Sequence, residues 1–596
     1  MRKRRACDAC HSRKIRCDQA LPQCDWCFHH NASCTFQQLA RSGSEAVSRT
    51  QSPNPPLRAA VAGAVHSPPR DQPLAHSLPR LVFGKLHFAG RDLGSISFYN
   101  GLPIFSDQGR EWIRSRSGQD AVLPPLPDHS FIPAPQSGVD LSLPCRAVVE
   151  DYLSFFRRSH LKLEFPIIDS PTFHTTIQAA YGLGSGPLPD PEAIIAKACV
   201  LAFLSVISIL EGEHRPAAMQ VDSHKCALKA HHLLLSVPQT PCITTLQATL
   251  MLSIHQLFSG QIPLCAVYHS VACRLVFMMG GHVIADPWTA PNQTVGTADW
   301  TAQEKRHLRK LFWLCYIFDK EISSRTGQPP SVSDDHCDLT LPGGYLEVQY
   351  MDEYLSADVA HLDESAAPIL PGDLRLIMIK SKACRLLYSA EALRKSDADL
   401  LRDIRELDEE LEEWRLSVPP KHRPVLSLSR DRWMEGDAPK SIRTVMIGFE
   451  YHHLMATIHK ATSRCMAWTA RETRTCEMDS VKSSLALAVE ASRSSLLTLR
   501  TAVHGLLEKA SWTIVFYPMS AVVTIFCNLL WDPLHPRAQD DLDLLDAAPD
   551  LMRCIRRQGM TESEIVHQRV ADNLLAELAC LGRHAVVRAR QEGHVW

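Results

Sequence analysis

Six cysteines fall within the first 34 residues, at Cys7, Cys10, Cys17, Cys24, Cys27 and Cys34. Their spacing is C-x2-C-x6-C, then six residues, then C-x2-C-x6-C again. Two thiolates separated by two residues can grip one metal ion from a single turn, and a third returns after a short helix. Structural zinc takes four ligands in a tetrahedron. Six thiolates therefore complete one site with two left over, or two sites if two thiolates each bridge both metals. The duplicated half-motif supplies the pseudo-symmetry that such sharing needs. A segment of about 30 residues cannot build a hydrophobic core, so metal should provide its folding free energy. An eight-ligand zinc site would have to recruit His29 and His30, but adjacent histidines point apart and do not fit that spacing.

The other 14 of the chain's 20 cysteines are scattered from Cys145 to Cys580 without close pairing. That usage reads as small buried hydrophobes in a reducing compartment, which disfavours a disulfide framework. Arg2, Lys3, Arg4 and Arg5 are followed by Ala6–Asp8 and not by the apolar run of a secretory leader. An intracellular protein is the expectation.

Charge divides in the same way. Over all 596 residues, 63 basic side chains face 65 acidic ones, a net charge of −2 that by itself argues against nucleic-acid binding. Residues 1–34 carry seven basic side chains against three acids, a net +4, and every basic one precedes Cys17. The remaining chain carries −6. Six thiolates and two zinc ions would leave the first segment at +2, still basic.

The text C-D-A-C-H-S-R-K-I-R-C-D, then L-P-Q-C-D-W-C, then Cys34, resembles the fungal binuclear zinc cluster, the DNA-binding domain of a large family of transcription regulators. The resemblance implies two Zn2+ ions held by the six cysteines, with Cys7 and Cys24 bridging. Pro22 matches the family's proline in the loop between the halves. It also implies double-stranded DNA as partner, with Lys14 reading a CGG-type triplet in the major groove and His11, Arg13 and Arg16 beside it. His11 stands where the family more often has Arg. Physical chemistry agrees: Arg13 and Lys14 are flexible cations able to reach guanine O6 and N7 or phosphate. Arg2–Arg5 reads as a nuclear localisation segment, as phosphate-binding charge, or as both.

Residues 1–37 thus form the expected cluster module, and 38–79 a flexible linker with seven prolines between Pro53 and Pro79. Phe36, Leu39 and Ala46 make a short seam that permits a homodimer without requiring one. Residues 80–140 read as a partly ordered connecting segment, with an extended piece near Leu81–Phe88. Ser106 should cap a short helix carrying Trp112 and Ile113.

From 141 to 596 the periodicity is that of one large all-helical domain. Ile194–Leu210 is apolar nearly all round and should be central. Ile404, Leu407, Leu411 and Trp414 recur at three or four, and Pro419-Pro420 ends that helix. A second resemblance covers about 146–345, the family's middle homology region. It rests on Tyr152–Phe156, Phe165–Asp169, Glu304–Arg306, Arg309–Trp313, Tyr316–Asp319 and Gly327–Pro329, with Gln328 where the family most often has Arg. Phe312, Trp313 and Phe318 should be core, and the Asp319/Arg325 neighbourhood should hold a buried ion pair.

Other functions find little support. Gly182–Gly186 follows no strand and lacks a phosphate-binding Lys, G-x-S-x-G and H-E-x-x-H are absent, and no enzyme is expected. His452, His453 and His459 read as helix-surface residues in preference to a metal pair. The charge-poor runs Ala510–Trp531 and Ala230–Cys273 read as buried helices and not membrane spans, and the second suggests a ligand pocket. Asp540–Asp546 alternates acidic and apolar residues like an acidic activator, but a packed helix start fits better.

The reading is a nuclear, sequence-specific regulator of RNA polymerase II transcription, built from a small metal-stabilised zinc cluster module and a large all-α regulatory domain. Its expected partners are CGG-type DNA and the transcription machinery or co-regulators, and no membrane. By resemblance it controls metabolic genes, a secondary-metabolite cluster among the options. The different-class alternative is a zinc-bearing interaction or repressor scaffold without direct DNA binding.

Overall fold

In the computed structural model the described residues are Cys10, Cys17 and Cys27 of the N-terminal module, and then 84–97, 101–122, 140–182, 190–211, 219–236, 241–283, 301–351, 368–426, 442–468, 475–506, 512–554 and 562–593. Two compact units divide at Ser77/Leu78. The linker expected at 38–79 lies outside the described residues.

The larger unit begins with an antiparallel sheet in the order β1 (Lys85–Phe88), β2 (Arg91–Ile96), β3 (Pro103–Phe105). Gly94 has φ +143°, and a Cβ there would lie 2.0 Å from the Ile104 carbonyl oxygen, so only glycine lets β3 approach. Helix α1 (Asp107–Ser117) follows, capped as expected by Ser106, whose Oγ accepts from the Gly109 N–H at 3.0 Å. Trp112 and Ile113 are buried. They join one core with Phe88, Leu93 and Phe105 and with residues from 445 to 586. The segment read as connecting is therefore built into the same compact unit as the C-terminal helices. Sequence periodicity could not show this, because the burial is long-range.

Among the described residues, every regular element from Arg146 onward is helical. Helices α2 (Arg146–Arg158), α3 (Ser170–Tyr181), α4 (Pro191–Glu211), α5 (Ser223–Leu235), α6 (Ile243–Phe258) and α7 (Ile262–Met278) surround one core. α4 lies at its centre against α3, α5 and α6. The apolar run Ala230–Cys273 is accounted for by α5–α7 folded onto it. Helix α8 (Ala302–Thr326) opens on a capping box in which Thr301 Oγ1 accepts from the Glu304 N–H at 3.2 Å and Glu304 accepts from the Thr301 N–H at 2.8 Å. It ends at Gly327, φ +67°.

Helices α9 (Leu374–Tyr388), α10 (Asp397–Ser417), α11 (Ile442–Lys460) and α12 (Thr475–Leu506) form a further core, which includes Ile404, Leu407, Leu411 and Trp414. α13 (Trp512–Trp531), α14 (Ala538–Cys554) and α15 (Glu562–Glu592) complete the sheet-side core. Among the described residues two segments, Pro191–Glu211 and Ile514–Trp531, are long and apolar enough to cross a membrane, but 78% and 72% of their most apolar stretches are buried inside the fold.

Helix α8 joins these cores through Glu321. This buried carboxylate accepts from Lys380 on α9, from Arg325 one turn on at 3.3 Å, and from the Tyr517 hydroxyl on α13 at 2.9 Å. Desolvation works against its charge, yet Lys380 and Arg325 hold its carboxyl well below the usual range. The Asp319/Arg325 neighbourhood, expected to hold a buried ion pair, holds two. Arg325 serves Glu321, while Asp319 pairs with Lys320 at 3.2 Å. Residues 319 and 325 lie six apart, more than one helical turn and less than two, so they face different ways.

The acidic stretch starts a packed helix. Asp541 in α14 is fully buried and receives Arg493 Nε at 2.6 Å and Nη2 at 2.8 Å, and Leu542, Leu544 and Leu545 are core. Two expectations follow. Asp541→Ala leaves the buried Arg493 with Glu490 at 3.2 Å as its remaining carboxylate and should cost about 1–3 kcal/mol by chemical denaturation, whereas an exposed activator residue would cost nothing measurable. Glu321→Gln should destabilise at neutral pH. Because the folded carboxyl is depressed, its contribution is present above the unfolded value of about 4.3 and lost as pH falls below it. The stability gap between Glu321→Gln and wild type should therefore narrow in acid.

Candidate metal centre and DNA interface

Cys10 and Cys27 are the second cysteines of the two C-x2-C pairs and hold equivalent places in the duplicated pattern. Each sits in a helical turn with 0% of its surface exposed, and Cys17 is half-buried outside regular structure. The module has few apolar side chains with which to shield a thiol. Matched burial at equivalent positions is the arrangement that thiolates drawn around a shared metal centre require. Four-coordinate zinc therefore suits this donor set. Cys7, Cys24, Cys34, His11, Arg13, Lys14, Arg16 and Arg2–Arg5 lie outside the described residues.

The cysteines of the helical body are of a different kind. Burial pushes Cys226, Cys265 and Cys527 up to about 12, and Cys199 is raised further still, so these thiols stay protonated and inert. One body cluster, His269, Cys273 and Asp319, has donor atoms within 4.8 Å of one another. Its carboxylate is already engaged: Asp319 accepts from the Ser331 N–H at 2.7 Å and the Val332 N–H at 3.0 Å and pairs with Lys320. That set of bonds pins the loop after α8, which makes Asp319 a structural residue of the family segment. Gln328 in this loop is exposed, and its N–H donates to Thr326 Oγ1 at 3.2 Å.

The rest of the segment is structural as well. Phe312, Trp313 and Phe318 are core, as expected. Arg309 is buried, with its guanidinium 4.6 Å from the Phe312 ring centre and 4.9 Å from that of Trp313, and it donates to the Gly281 and Asp338 carbonyls. Asp169 caps α3 and accepts from Gln303 at 2.8 Å, which ties the start of the homology region to α8.

His452 and His459 are buried, which corrects the helix-surface reading. His452 Nε2 donates to the Val425 carbonyl at 3.1 Å, and His459 contacts Ser484 Oγ at 2.8 Å and Asp408 at 3.3 Å. Separate partners in separate directions leave no shared metal position. Sequence reasoning missed the Glu321 cluster. The Glu321/Arg325 i,i+4 pair was a readable signal, but the contributions of Lys380 and Tyr517 were not.

Comparison with known proteins locates the same two regions. Residues 5–42 match the fungal Zn(2)-Cys(6) binuclear cluster domain, and residues 153–416 match the fungal specific transcription factor domain. The second match runs past 345 through α9 and α10. Two proteins described as ABC-transporter-regulating transcription factors, from Aspergillus oryzae and Aspergillus fumigatus, are each 23% identical over 92% of this chain and 70% of their own length. A transcriptional regulatory protein of Schizosaccharomyces pombe is 22% identical over 94% of this chain and 75% of its own. With the cysteine pattern, the helical body and both domain matches in agreement, the chain belongs to the fungal binuclear zinc cluster family of transcription factors.

Proposed function

We propose that this transcription factor acts in the nucleus, binding CGG-type DNA through a two-zinc cluster and regulating RNA polymerase II promoters through its helical body. The observation that carries the reading is the duplicated C-x2-C-x6-C pattern inside a basic segment of net +4. Cys7, Cys10, Cys17, Cys24, Cys27 and Cys34 hold the metal, with Cys7 and Cys24 shared. Zinc supplies the folding free energy that a module of this size lacks. Lys14 contacts guanine edges, and His11, Arg13 and Arg16 lie along the backbone. Arg2–Arg5 adds phosphate contacts and serves nuclear import. No step of this function is enzymatic. Homodimerisation through the segment after Cys34 would set half-site spacing, and co-regulators would dock on the body.

For targets, the relatives matched over 92% of the chain favour genes for ABC transporters. A metabolite cluster is the second reading, supported by the fusaridione A cluster transcription factor of Fusarium heterosporum, 22% identical over 65% of this chain.

Metal analysis of the purified protein should find two zinc ions per chain. A single ion would overturn the bridged arrangement. In a mobility-shift titration with a CGG probe, Lys14→Ala should weaken binding by about 1–3 kcal/mol. Unchanged affinity would remove the base-reading role from Lys14. If the zinc-loaded protein binds no CGG sequence, the interaction or repressor scaffold becomes the better account.

A further inference from the structure

A cavity of about 90 Å³ lies between the sheet and helices α8, α11 and α13. Leu93, Ile96, Phe516, Met519 and Val523 form its apolar wall. Lys460, Arg464 and His453 also line it, with Ser324, Ser520 and Thr524. No Asp or Glu lines it, and the remaining cation at its edge, Lys85, is neutralised by Asp92 at 2.6 Å.

Lys460 and Arg464 are not neutralised in that way. Among the described residues the Lys460 ammonium has no carboxylate partner, and burial pulls it down to about 8. The group that opposes this shift is Cys527, whose thiol burial pushes up to about 12, so it carries no charge at neutral pH. Arg464 lies 5.4 Å from the Tyr388 ring centre and donates through Nη1 to the Leu387 carbonyl. Its Nη2 is buried with no hydrogen-bond partner among the described residues. His453, pushed far down by burial, is neutral and shares a hydrogen bond with Ser324 Oγ at 3.3 Å. Two cations therefore line an apolar cavity with no counter-charge, an arrangement that costs stability unless something compensates it.

We propose that this cavity is an effector site for a small carboxylate with a short apolar body. The carboxylate is held by Lys460 with the Arg464 guanidinium charge beside it, and the hydrocarbon lies on Phe516, Met519 and Val523. The volume is below the roughly 150 Å³ that accommodates benzene, which limits the body to a few carbons. A bare inorganic anion would leave the apolar wall unused, and a neutral amide would leave the cations unpaired. The site touches the sheet, α8, α11 and α13 together, so its occupancy is felt by the helix that carries Glu321. The proposal goes beyond the transcriptional reading and stands apart from it, because ligand binding is read whether or not Cys7–Cys34 binds DNA.

The test is calorimetric titration of the full-length protein with butanoate, butanamide and inorganic phosphate. Butanoate should bind, with butanamide and phosphate each about tenfold weaker or more. Lys460→Met should lose at least about tenfold in butanoate affinity and Lys460→Arg should retain it. Lys460→Met should melt no lower than wild type, since it removes an uncompensated charge. Absence of butanoate binding to folded wild-type protein at millimolar concentration would overturn the proposal. Equal binding by Lys460→Met would overturn the role of the cation, and phosphate binding as tightly as butanoate would overturn the apolar body.

Discussion

The body of this protein depends on one buried carboxylate. Glu321 sits near the end of α8 and gathers Lys380 from α9, Arg325 from its own helix and Tyr517 from α13. A charge in that position is tolerated only because several donors converge on it. Glu450 on α11 lies in the same electrostatic neighbourhood. Desolvation and the Glu321 charge raise its carboxyl, while Lys380 and Arg443 oppose the rise. The Lys380 charge thus acts on the carboxyl groups of two helices, while its contact is with Glu321. Such an arrangement fixes which helices meet and in what register more than it adds net stability. It joins residues of the family's homology region to the C-terminal helices beyond residue 416.

The same logic separates the two parts of the chain. The N-terminal module has too few apolar residues for a core and uses thiolates. Among the described residues the body has three apolar cores, and burial keeps the thiols of Cys226, Cys265 and Cys527 protonated and inert. Twenty cysteines and a net charge of −2 describe neither part. A basic cysteine-rich segment joined to a mildly acidic body keeps positive charge, and with it any attraction for phosphate, local to the first 34 residues.

Much of this was legible in the sequence, for local reasons. The cysteine spacing is a covalent fact. The Ser106 cap, the Ile404–Leu407–Leu411–Trp414 stripe and the central Ile194–Leu210 helix are set by residues within a few turns of each other. What escaped depends on contacts between distant segments. Nothing local says that Trp112 joins a core with Ile514 and Leu575, or that Lys460 ends a helix beside Arg464 in an acid-free cavity. The histidines of α11 show the limit from the other side. Their spacing is two helical turns, but the partners they take, Val425, Asp408 and Ser484, come from outside their own helix. The ligand pocket expected from the apolar 230–273 run followed from composition, and the cavity with the unpaired cations lies elsewhere.

The central claim is that the N-terminal cluster takes this chain to specific promoters. Genome-wide binding of the tagged, full-length protein in its own cell tests that most directly, because site, spacing and targets are read together. The account predicts discrete promoter peaks enriched in CGG triplets at a fixed spacing, with ABC transporter genes among the targets. Peaks no stronger than those of an untagged control, or discrete peaks without CGG enrichment, would contradict it.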